Sequence, residues 1–597
     1  MRKWTILAVA LSVTLSINTA SAQKKIEPPV SQLCTRNSAL DIIQQQSAGA
    51  KAFDNPVQRI SVMLRAADLM WPYQPAKSRA IFAEAFDVAT LNFKEKGDQT
   101  IRDGRLPISL PDQRYLVIGA IAKRDPAWAR KLTEQVIEEA RSDTATDTPK
   151  DSANALQKAE KLFGVALALI PTDANSAVVF ARMTFQQPAS LYLSLFIYRL
   201  AETNKAIADT FYGDALAAYG NSPMDQFLYL SSYPFANNRE AGEMPGWTTY
   251  KVPSVVTPNP VLQRAFMQVL LRQAQALSTK PTEARTGARY SEAAQIWMAL
   301  SRLENKVQSS LPDLAPAVEE AKGSMFVLMT QKDQQRTADN LVEPPKQTFA
   351  EKIEAAEKQT DPARRESGIA LAILNGSKDE PLDVVVAAAD KLDDVGLRAQ
   401  ILSRLYFNRS QEALRNKQFD EARRLASKVE QLDQRAYLYS SIVSESIKAA
   451  KNDVEIREIL EEVLEVTAKA PNTEVKARAL LAVAYLFAKV DAIRGVGILG
   501  DAIKTINQME NPDFSRDQLM TKIEGKQFGS YSVLNTPGFN PENAFREMSQ
   551  FDFDGLLYQA GQFTNKSLRS MTTLALVEPC LLQTAPKKPA AKASPSN

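Results

Sequence analysis

The 597-residue sequence contains no histidine. This absence excludes Ser-His-Asp and Cys-His catalysis, histidine-liganded zinc or haem, and the usual pH switch near neutrality. Glycine is also scarce, with 22 residues, which is about half of its average frequency. Glycine weakens helix interiors, so its scarcity favours a helical protein.

Beyond its first residues the sequence lacks an apolar run of the ~20 residues that a transmembrane helix needs. The N-terminus combines a basic start, Met1-Arg2-Lys3, an apolar run from Thr5 to Ile17, and the small residues Ala20-Ser21-Ala22. This pattern predicts a signal peptide over 1–22 that is cleaved after Ala22, with an uncleaved anchor as the alternative. We therefore expect a periplasmic or secreted mature protein without a transmembrane segment.

A strong charge imbalance is also missing: 72 Lys and Arg face 69 Asp and Glu. Removal of Arg2 and Lys3 with the signal peptide changes the net charge from +3 to about +1. No basic stripe with interleaved aromatics is present, so we expect no nucleic-acid partner. The tail 584–597, with Lys587, Lys588 and Lys592 among Pro and Ala, is predicted to be disordered. Weak association of this tail with an acidic envelope surface is the alternative to a solvated end.

Only two cysteines are present, Cys34 and Cys580, one near each end of the chain. Export would place them where disulfides persist, and an even number permits one bridge. We therefore predict a structural disulfide, with two independent thiols as the alternative. Because the ends of an open solenoid lie far apart, a bridge would require a curved or closed shape, or one terminus packing back on the other.

What the sequence does contain is a recurring helix-pair pattern from about Leu40 to Leu582. Apolar residues recur at three- and four-residue spacing, as on one face of a helix. Capping residues and prolines mark successive helix starts, as in Asn55-Pro56 and Asp125-Pro126. This pattern predicts an all-α fold of stacked antiparallel helix pairs, an α-solenoid, in two lobes.

The segment from Asn416 to Ala422, Asn-Lys-Gln-Phe-Asp-Glu-Ala, resembles the small-x-x-aromatic-x-x-Ala core of a tetratricopeptide repeat. Asn416 stands where that repeat usually has glycine, and a regular 34-residue period is not evident. The resemblance covers this hairpin and a few degenerate copies, and it implies tetratricopeptide-like helix pairs. The whole chain also resembles large secreted, all-helical bacterial proteins of unassigned function, which implies a fold and no activity.

Breaks in the helical pattern predict how the chain is divided. A loop rich in proline and aromatic residues interrupts the helices at 233–260, and a polar stretch with Pro344-Pro345 predicts a linker. Alternation around Lys522 to Val533 predicts a small β-hairpin. The predicted order is a signal peptide (1–22), an N-terminal helical lobe (23–232), the loop (233–260), a helical continuation (261–330), the linker (331–348), a C-terminal helical lobe (349–583) and the tail (584–597).

The loop at 233–260 is the candidate binding site, because long connections without regular structure are often functional. It contains Tyr233, Phe235, Trp247 and Tyr250, residue types that anchor partners at interfaces. The alternative, which we expect, is that these aromatics pack as a plug at the junction of two helical lobes.

Two motifs invite catalytic or cofactor interpretations, and the sequence context favours neither. Residues 495–500 match the dinucleotide-binding pattern GxGxxG, which works only between a strand and a helix, whereas helical spacing surrounds it here. Arg365-Glu366-Ser367-Gly368 resembles the catalytic Glu-Ser segment of soluble lytic transglycosylases, but the flanking Gly- and Met-rich context is missing. We expect no cofactor, no metal site and no catalytic residue.

Adjacent carboxylates were also considered as acid/base pairs, as glycosidases use. The pairs are Glu138-Glu139, Glu319-Glu320 and Glu461-Glu462. Adjacent helical residues do not face each other, so these pairs are expected on solvated helix faces.

The sequence predicts a non-catalytic scaffold or binding protein that presents a helical surface to a protein or peptide partner. An enzyme that acts on cell-wall polymers with carboxylate chemistry is the main alternative. A self-associating envelope component is a third.

Overall fold

A computed structural model describes residues 31, 33–97, 99–103, 106–110, 112–142, 149–236, 252–279, 290–341, 347–376, 378–449, 453–510, 512–514, 518–526, 528–536 and 539–582. These residues form 26 α-helices and two β-hairpins. Helices of the first part are α1 Arg36–Ala50, α2 Pro56–Met70, α3 Pro75–Lys96, α4 Gln113–Ala122, α5 Pro126–Ser142, α6 Pro149–Leu169, α7 Ala174–Arg182, α8 Leu191–Thr203, α9 Lys205–Tyr219, α10 Met224–Phe227, α11 Pro260–Thr279, α12 Glu292–Ser310, α13 Ala315–Leu328 and α14 Gln331–Leu341.

The second part contains twelve further helices. They are α15 Phe349–Glu357, α16 Pro362–Gly376, α17 Leu382–Ala389, α18 Val395–Arg415, α19 Phe419–Ala426, α20 Leu432–Lys448, α21 Asp453–Ala468, α22 Glu474–Val490, α23 Ala492–Asn507, α24 Pro541–Met548, α25 Phe553–Gly561 and α26 Lys566–Val577. Short 3-10 helices cover Met183–Gln186, Leu228–Leu230, Tyr233–Phe235, Pro312–Leu314 and Glu578–Leu582.

Helix starts coincide with the capping signals of the sequence. The side-chain oxygen of Asn55 accepts hydrogen bonds from the backbone N–H groups of Val57 and Gln58, at 2.9 and 3.4 Å, and Pro56 occupies the first turn of α2. Asp173 caps α7 in the same way through Ser176. Such caps satisfy donors that a helix leaves unpaired at its N-terminus. The all-α fold of adjacent helix pairs is confirmed.

The even-numbered helices form one row in which each packs on the next. The row runs through α2, α4, α6 and α8, then through the turn Leu228–Leu230 to α10, α12 and α14. A second run joins α16, α18, α20, α22, α24 and α26. The odd-numbered helices pack against their chain neighbours and build a second layer beside this row. Two layers of helices around a shared core are the architecture of an α-solenoid.

The two runs of the row meet where the chain ends meet, because α26 packs on both α1 and α2. We call this contact of α1 and α2 with α26 and the turn Glu578–Leu582 the seam. At the other end of each run, Leu341 and Gln347 are six residues apart and so lie within about 22 Å of each other. The two ends of the even-numbered row therefore lie near each other, and the seam lies in its middle.

The larger hydrophobic core extends across the seam. It contains buried side chains from Cys34 to Met329 and from Phe407 to Leu581. A smaller core is built by α15–α18 together with Ile523 and Phe528 of the second hairpin. The two predicted lobes thus share the larger core at the seam.

The predicted linker is corrected over its first eleven residues, which form α14. The Thr330 hydroxyl accepts a hydrogen bond from the backbone N–H of Asp333 at 3.1 Å. Asp333 and Thr337 are buried at 6% and 1% exposure, on a helix that packs on α12. The polar composition hid this helix, because its buried face carries polar side chains in place of apolar ones. Residues 342–346 lie outside the described ranges.

The predicted hairpin is confirmed, and a second one was missed. Strands β3 Gln518–Glu524 and β4 Gly529–Asn535 pair antiparallel around the predicted segment. Strands β1 Gln99–Asp103 and β2 Leu106–Leu110 also pair antiparallel, with Asp103 opposite Leu106, inside a range predicted to be helical. The sequence carries Asp103-Gly104 at this position, which is a common hairpin signal. The sequence analysis overlooked it.

Among the described helices, none is both long and apolar enough to span a lipid bilayer.

Candidate binding groove

A cavity of about 560 Å³, which we call the main cavity, lies on the row of even-numbered helices, over α18, α20 and α22. Each helix contributes one face to it: Gln411, Leu414 and Arg415 from α18, Tyr437, Ser440, Ser441, Ser444 and Glu445 from α20, and Ala482, Tyr485 and Leu486 from α22. Lys417, Thr536 and Phe539 complete the lining. The three- and four-residue spacing along each helix explains why these side chains point the same way.

The floor of this main cavity is apolar and aromatic. Leu486 and Phe539 are 2% and 5% exposed, and the Tyr437 ring lies 6.2 Å from the Phe539 ring. At its rim, the Lys489 ammonium lies 4.3 Å from the centre of the Tyr485 ring, which is a cation–π distance. The cavity thus offers an apolar surface with hydroxyl groups and cations around it.

A second cavity of about 500 Å³ lies beside the main cavity, over α16 and α18. Gln411 and Arg415 line both cavities. The second cavity adds Ile373, Leu374, Asn375, Lys378, Ile401, Leu405, Asn408, Arg409 and Glu412. Four successive even-numbered helices therefore present one continuous surface, which we call the groove.

The turn after α18 holds a lysine in a conformation that lysine seldom adopts. Lys417 has φ of 59°, the left-handed region in which glycine is usual and another residue costs about 1–2 kcal/mol. The N–H of Lys417 donates to the Leu414 carbonyl and that of Gln418 to the Ala413 carbonyl, both at 2.9 Å. This is the hydrogen-bond pattern of a Schellman cap. The turn belongs to the hairpin that resembles a tetratricopeptide repeat, and its lysine side chain lines the groove.

Tyr233 and Phe235, half of the predicted aromatic site, are core residues in the structure. Their exposures are 3% and 1%, and Tyr233 stacks on Tyr212 with ring centres 5.5 Å apart. The Tyr233 hydroxyl donates a hydrogen bond to Asp209 at 2.7 Å, and Lys205 forms an ion pair with the same carboxylate at 2.7 Å. Assignment of these two residues to partner binding is therefore corrected, because their rings are covered. Trp247 and Tyr250 lie outside the described residues.

The tyrosines around Tyr233 should make the fold sensitive to alkaline pH. Burial raises the pKa of Tyr198 from 10.0 to about 12, against the lowering effect of its hydrogen bond with Ser232. Burial, and next the hydrogen bond to Asp209, raise the pKa of Tyr233, and burial raises that of Tyr212. The unfolded chain, with ordinary tyrosine pKa values, loses these protons first as the pH rises.

We therefore expect these tyrosines to make their full contribution to the free energy of unfolding below pH 10. As the pH rises from 10 towards 12, the free energy of unfolding should fall by about 1.4 kcal/mol per pH unit for each buried tyrosine. Urea unfolding followed by circular dichroism between pH 8 and 12 measures this loss. Tyr198→Phe should reduce the slope, and Tyr531→Phe, an exposed tyrosine of β4, should leave it unchanged. A stability that is constant over this range would contradict the burial of these hydroxyls.

The structure separates the carboxylate pairs considered in the sequence. Glu139, Glu319 and Glu461 form ion pairs with Arg114, Lys322 and Arg494 at 3.2, 3.2 and 3.4 Å. Glu462 pairs with Arg423 at 2.9 Å, so the adjacent carboxylates Glu461 and Glu462 have different partners. Glu366, of the Glu-Ser segment, accepts a hydrogen bond from the Asp394 backbone N–H at 2.7 Å and is 9% exposed. Ion pairs or hydrogen bonds of four of these carboxylates connect neighbouring helices, whereas Glu319 pairs within α13; the four are Glu139, Glu366, Glu461 and Glu462.

The GxGxxG residues, Gly495 to Gly500, lie inside α23, and the element before them is α22. A Cβ atom on Gly495 would lie 2.7 Å from the backbone nitrogen of Ala488 and 2.8 Å from the Ala484 carbonyl oxygen. Gly495 therefore permits α23 to approach α22 closely. The strand and turn of a dinucleotide site are replaced here by a helix pair.

The structure joins Cys34 and Cys580 in a disulfide at the seam, with Cα atoms 5.0 Å apart. Both cysteines are buried, at 8% and 0% exposure. Within the described residues no group of three or more Cys, Asp or Glu side chains is arranged to hold a metal ion.

Sequence reasoning missed the groove because its residues come from four helices over more than a hundred positions. Its local signal was the repeat-like hairpin 416–422, whose first residues form the turn at the groove edge.

Comparison with known proteins places the chain in no described family. No family model matches it, and no curated protein matches it. Among solved structures, it is similar to a circular tandem repeat protein with novel repeat topology and enhanced subunit contact surfaces. That similarity covers 92% of this chain and 96% of the other, at 13% sequence identity and a TM-score of 0.16.

Proposed function

We propose that this chain is an exported, non-catalytic scaffold that binds an extended segment of a protein or peptide partner in the groove. The observation that carries the proposal is the continuous surface of α16, α18, α20 and α22, with an apolar floor and a polar rim. Helical-repeat proteins commonly bind through such surfaces. The predicted signal peptide and the disulfide support an extracytoplasmic location.

The charges of the groove favour binding over carboxylate catalysis. The main cavity is lined by a single carboxylate, Glu445, which pairs with Lys448 at 2.6 Å. Glycosidic hydrolysis in most families needs two facing carboxyl groups. Burial raises the pKa of Asp433 and of Glu474, as a catalytic acid would require, but neither residue lines the two cavities.

The test is selection of a random-peptide display library on the immobilised mature protein. We expect enriched peptides whose binding falls about tenfold or more with Tyr485→Ala, because this change removes an aromatic anchor from the groove. Tyr558→Ala, which removes an exposed tyrosine from α25, is the matched control and should keep full binding. Unchanged melting temperatures would show that both variants are folded.

Failure to enrich any peptide, or peptides that bind the Tyr485→Ala variant as well as the parent protein, would refute the groove as the binding site. Release of reducing sugars from purified cell-wall polymers, abolished by Asp433→Asn or Glu474→Gln, would support the enzyme alternative.

A further inference from the structure

The groove carries an excess of positive charge that the protein itself leaves uncompensated. Its two cavities are lined by Lys378, Arg409, Arg415 and Lys417, against the two carboxylates Glu412 and Glu445. Both carboxylates are engaged: Glu412 pairs with Arg409 at 3.2 Å and Glu445 with Lys448 at 2.6 Å. Lys378, Arg415 and Lys417 are solvent-exposed, and none of these three pairs with a carboxylate within the described part of the chain.

The three unpaired cations lie along the part of the groove formed by α16 and α18. Lys378 lies at the α16 end, Arg415 lines both cavities, and Lys417 lies at the turn that follows α18. The apolar floor of Leu414, Leu486 and Phe539 lies in the main cavity. A ligand that matches this arrangement must combine negative charges with apolar side chains in an extended form.

Lys417 brings its charge to the groove from an unfavourable backbone conformation. Its left-handed backbone would be adopted more easily by glycine or asparagine. The lysine therefore costs stability where its side chain reaches the groove, and strained residues of this kind cluster at functional sites. At the C-terminal end of α18 the ammonium group also interacts favourably with the helix dipole.

The dimensions of the groove set the length of the ligand. Packed helices lie about 8–10 Å apart, so the three steps from α16 to α22 span roughly 24–30 Å. An extended peptide rises about 3.3 Å per residue. A segment of about eight or nine residues would therefore cover the groove.

We propose that the partner segment is an extended acidic peptide of about eight or nine residues, whose carboxylates contact Lys378, Arg415 and Lys417 while apolar side chains enter the main cavity. This inference rests on the proposed function and adds the chemistry of the partner. A peptide fits better than a uronate polymer or a nucleic-acid strand, because the main cavity offers a buried aliphatic and aromatic floor beside the cations. Carboxylates of the peptide would match the cations, and its apolar side chains would match the floor. Both matches together determine which ligand binds.

The test measures fluorescence anisotropy of labelled nine-residue peptides with the full mature protein. One peptide alternates Glu and Leu, a second replaces each Glu with Gln, and a third replaces each Glu with Lys. We expect the Glu peptide to bind about tenfold or more tightly than the Gln peptide, with an affinity that falls as salt rises. A five-residue Glu peptide, which covers one cavity, should bind more weakly.

Substitutions that change the charge of a groove residue show which cations contact the carboxylates of the peptide. Arg415→Glu should weaken the Glu peptide about tenfold or more and strengthen the Lys peptide. Lys332→Glu, on an exposed lysine of α14, makes the same change in net charge and should alter neither affinity. Lys417→Gly should weaken the Glu peptide about threefold while the melting temperature stays the same or rises.

The outcomes separate this inference from the proposed function. If the Glu and Gln peptides bind equally and both need Tyr485, the groove binds peptides but the acidic specificity is overturned. The specificity is also overturned if oligogalacturonate or a single-stranded oligonucleotide competes as strongly as the Glu peptide. If no peptide binds and the library yields none, the proposed function itself fails.

Discussion

Replacing Cys34 and Cys580 together with serine should lower the free energy of unfolding by ~2–5 kcal/mol. The bridge spans 546 residues of sequence, and the chain-entropy relation for a loop of this length predicts about 6 kcal/mol. Residual structure in the unfolded chain and native strain reduce that figure, so we expect the lower range. Urea denaturation followed by circular dichroism measures the shift of the transition.

The packing at the seam should survive loss of the bridge, because other contacts cross the seam. Arg36 and Tyr73 each donate a hydrogen bond to the Leu581 carbonyl at 3.0 Å, and Arg65 pairs with Glu578 at 2.6 Å. We therefore expect faster hydrogen exchange in α1 and α26 of the double-serine variant, and parent-like exchange in α12. Parent protein treated with reductant is the control and should match the variant. Identical transitions in oxidised and reduced parent protein would contradict a stabilising bridge.

Gly495→Ala should lower the free energy of unfolding by about 3 kcal/mol. The added methyl group would lie 2.7 and 2.8 Å from backbone atoms of Ala488 and Ala484. Backbone atoms of a packed helix cannot turn aside as a flexible side chain can, so α22 and α23 would have to separate. Both helices bury extensive apolar surface in the larger core. Thermal and urea unfolding measure the loss.

Gly497→Ala in the same helix is the matched control. An added Cβ on Gly497 meets no atom within 4 Å, so alanine should stabilise α23 by roughly 0.5–1 kcal/mol through the higher helix propensity of alanine. Two alanine substitutions that are two residues apart should thus change the free energy of unfolding in opposite directions. Equal effects of the two changes would show that close helix packing is not the reason for Gly495.

Local sequence signals were sufficient for most of the helical architecture. Caps such as Asn55, Asp173 and Asp491 place helix starts because each side chain acts within three residues of itself. The two terminal cysteines led to the correct expectation that a bridge needs a closed shape or packed termini. The order in which the even-numbered helices pack on one another has no comparable local signal.

The errors have identifiable physical causes. Helix α14 was read as a linker because it buries Asp333 and Thr337 in place of apolar residues. The hairpin of β1 and β2 was missed because a long helical range on both sides outweighed the Asp103-Gly104 signal. Tyr233 and Phe235 were singled out because aromatic residues in a loop suggest an interface. A tyrosine whose hydroxyl donates to a partly buried carboxylate, as that of Tyr233 does to Asp209, can lie in the core instead.

The groove could be anticipated least. Arg415 and Tyr485 lie 70 positions apart in the numbering, and nothing near either residue indicates that both line one cavity. The charge of Arg415 and the aromatic ring of Tyr485 belong to one binding surface only because α18, α20 and α22 lie side by side.

The position of the seam has a consequence for biosynthesis. Helices α1 and α2 are synthesised long before α26, the helix that packs on both of them. Until α26 has been made, the faces of α1 and α2 that contact it therefore remain uncovered. Such a chain needs protection from aggregation while it grows. A stop codon just before α26 would leave the polypeptide permanently in that state.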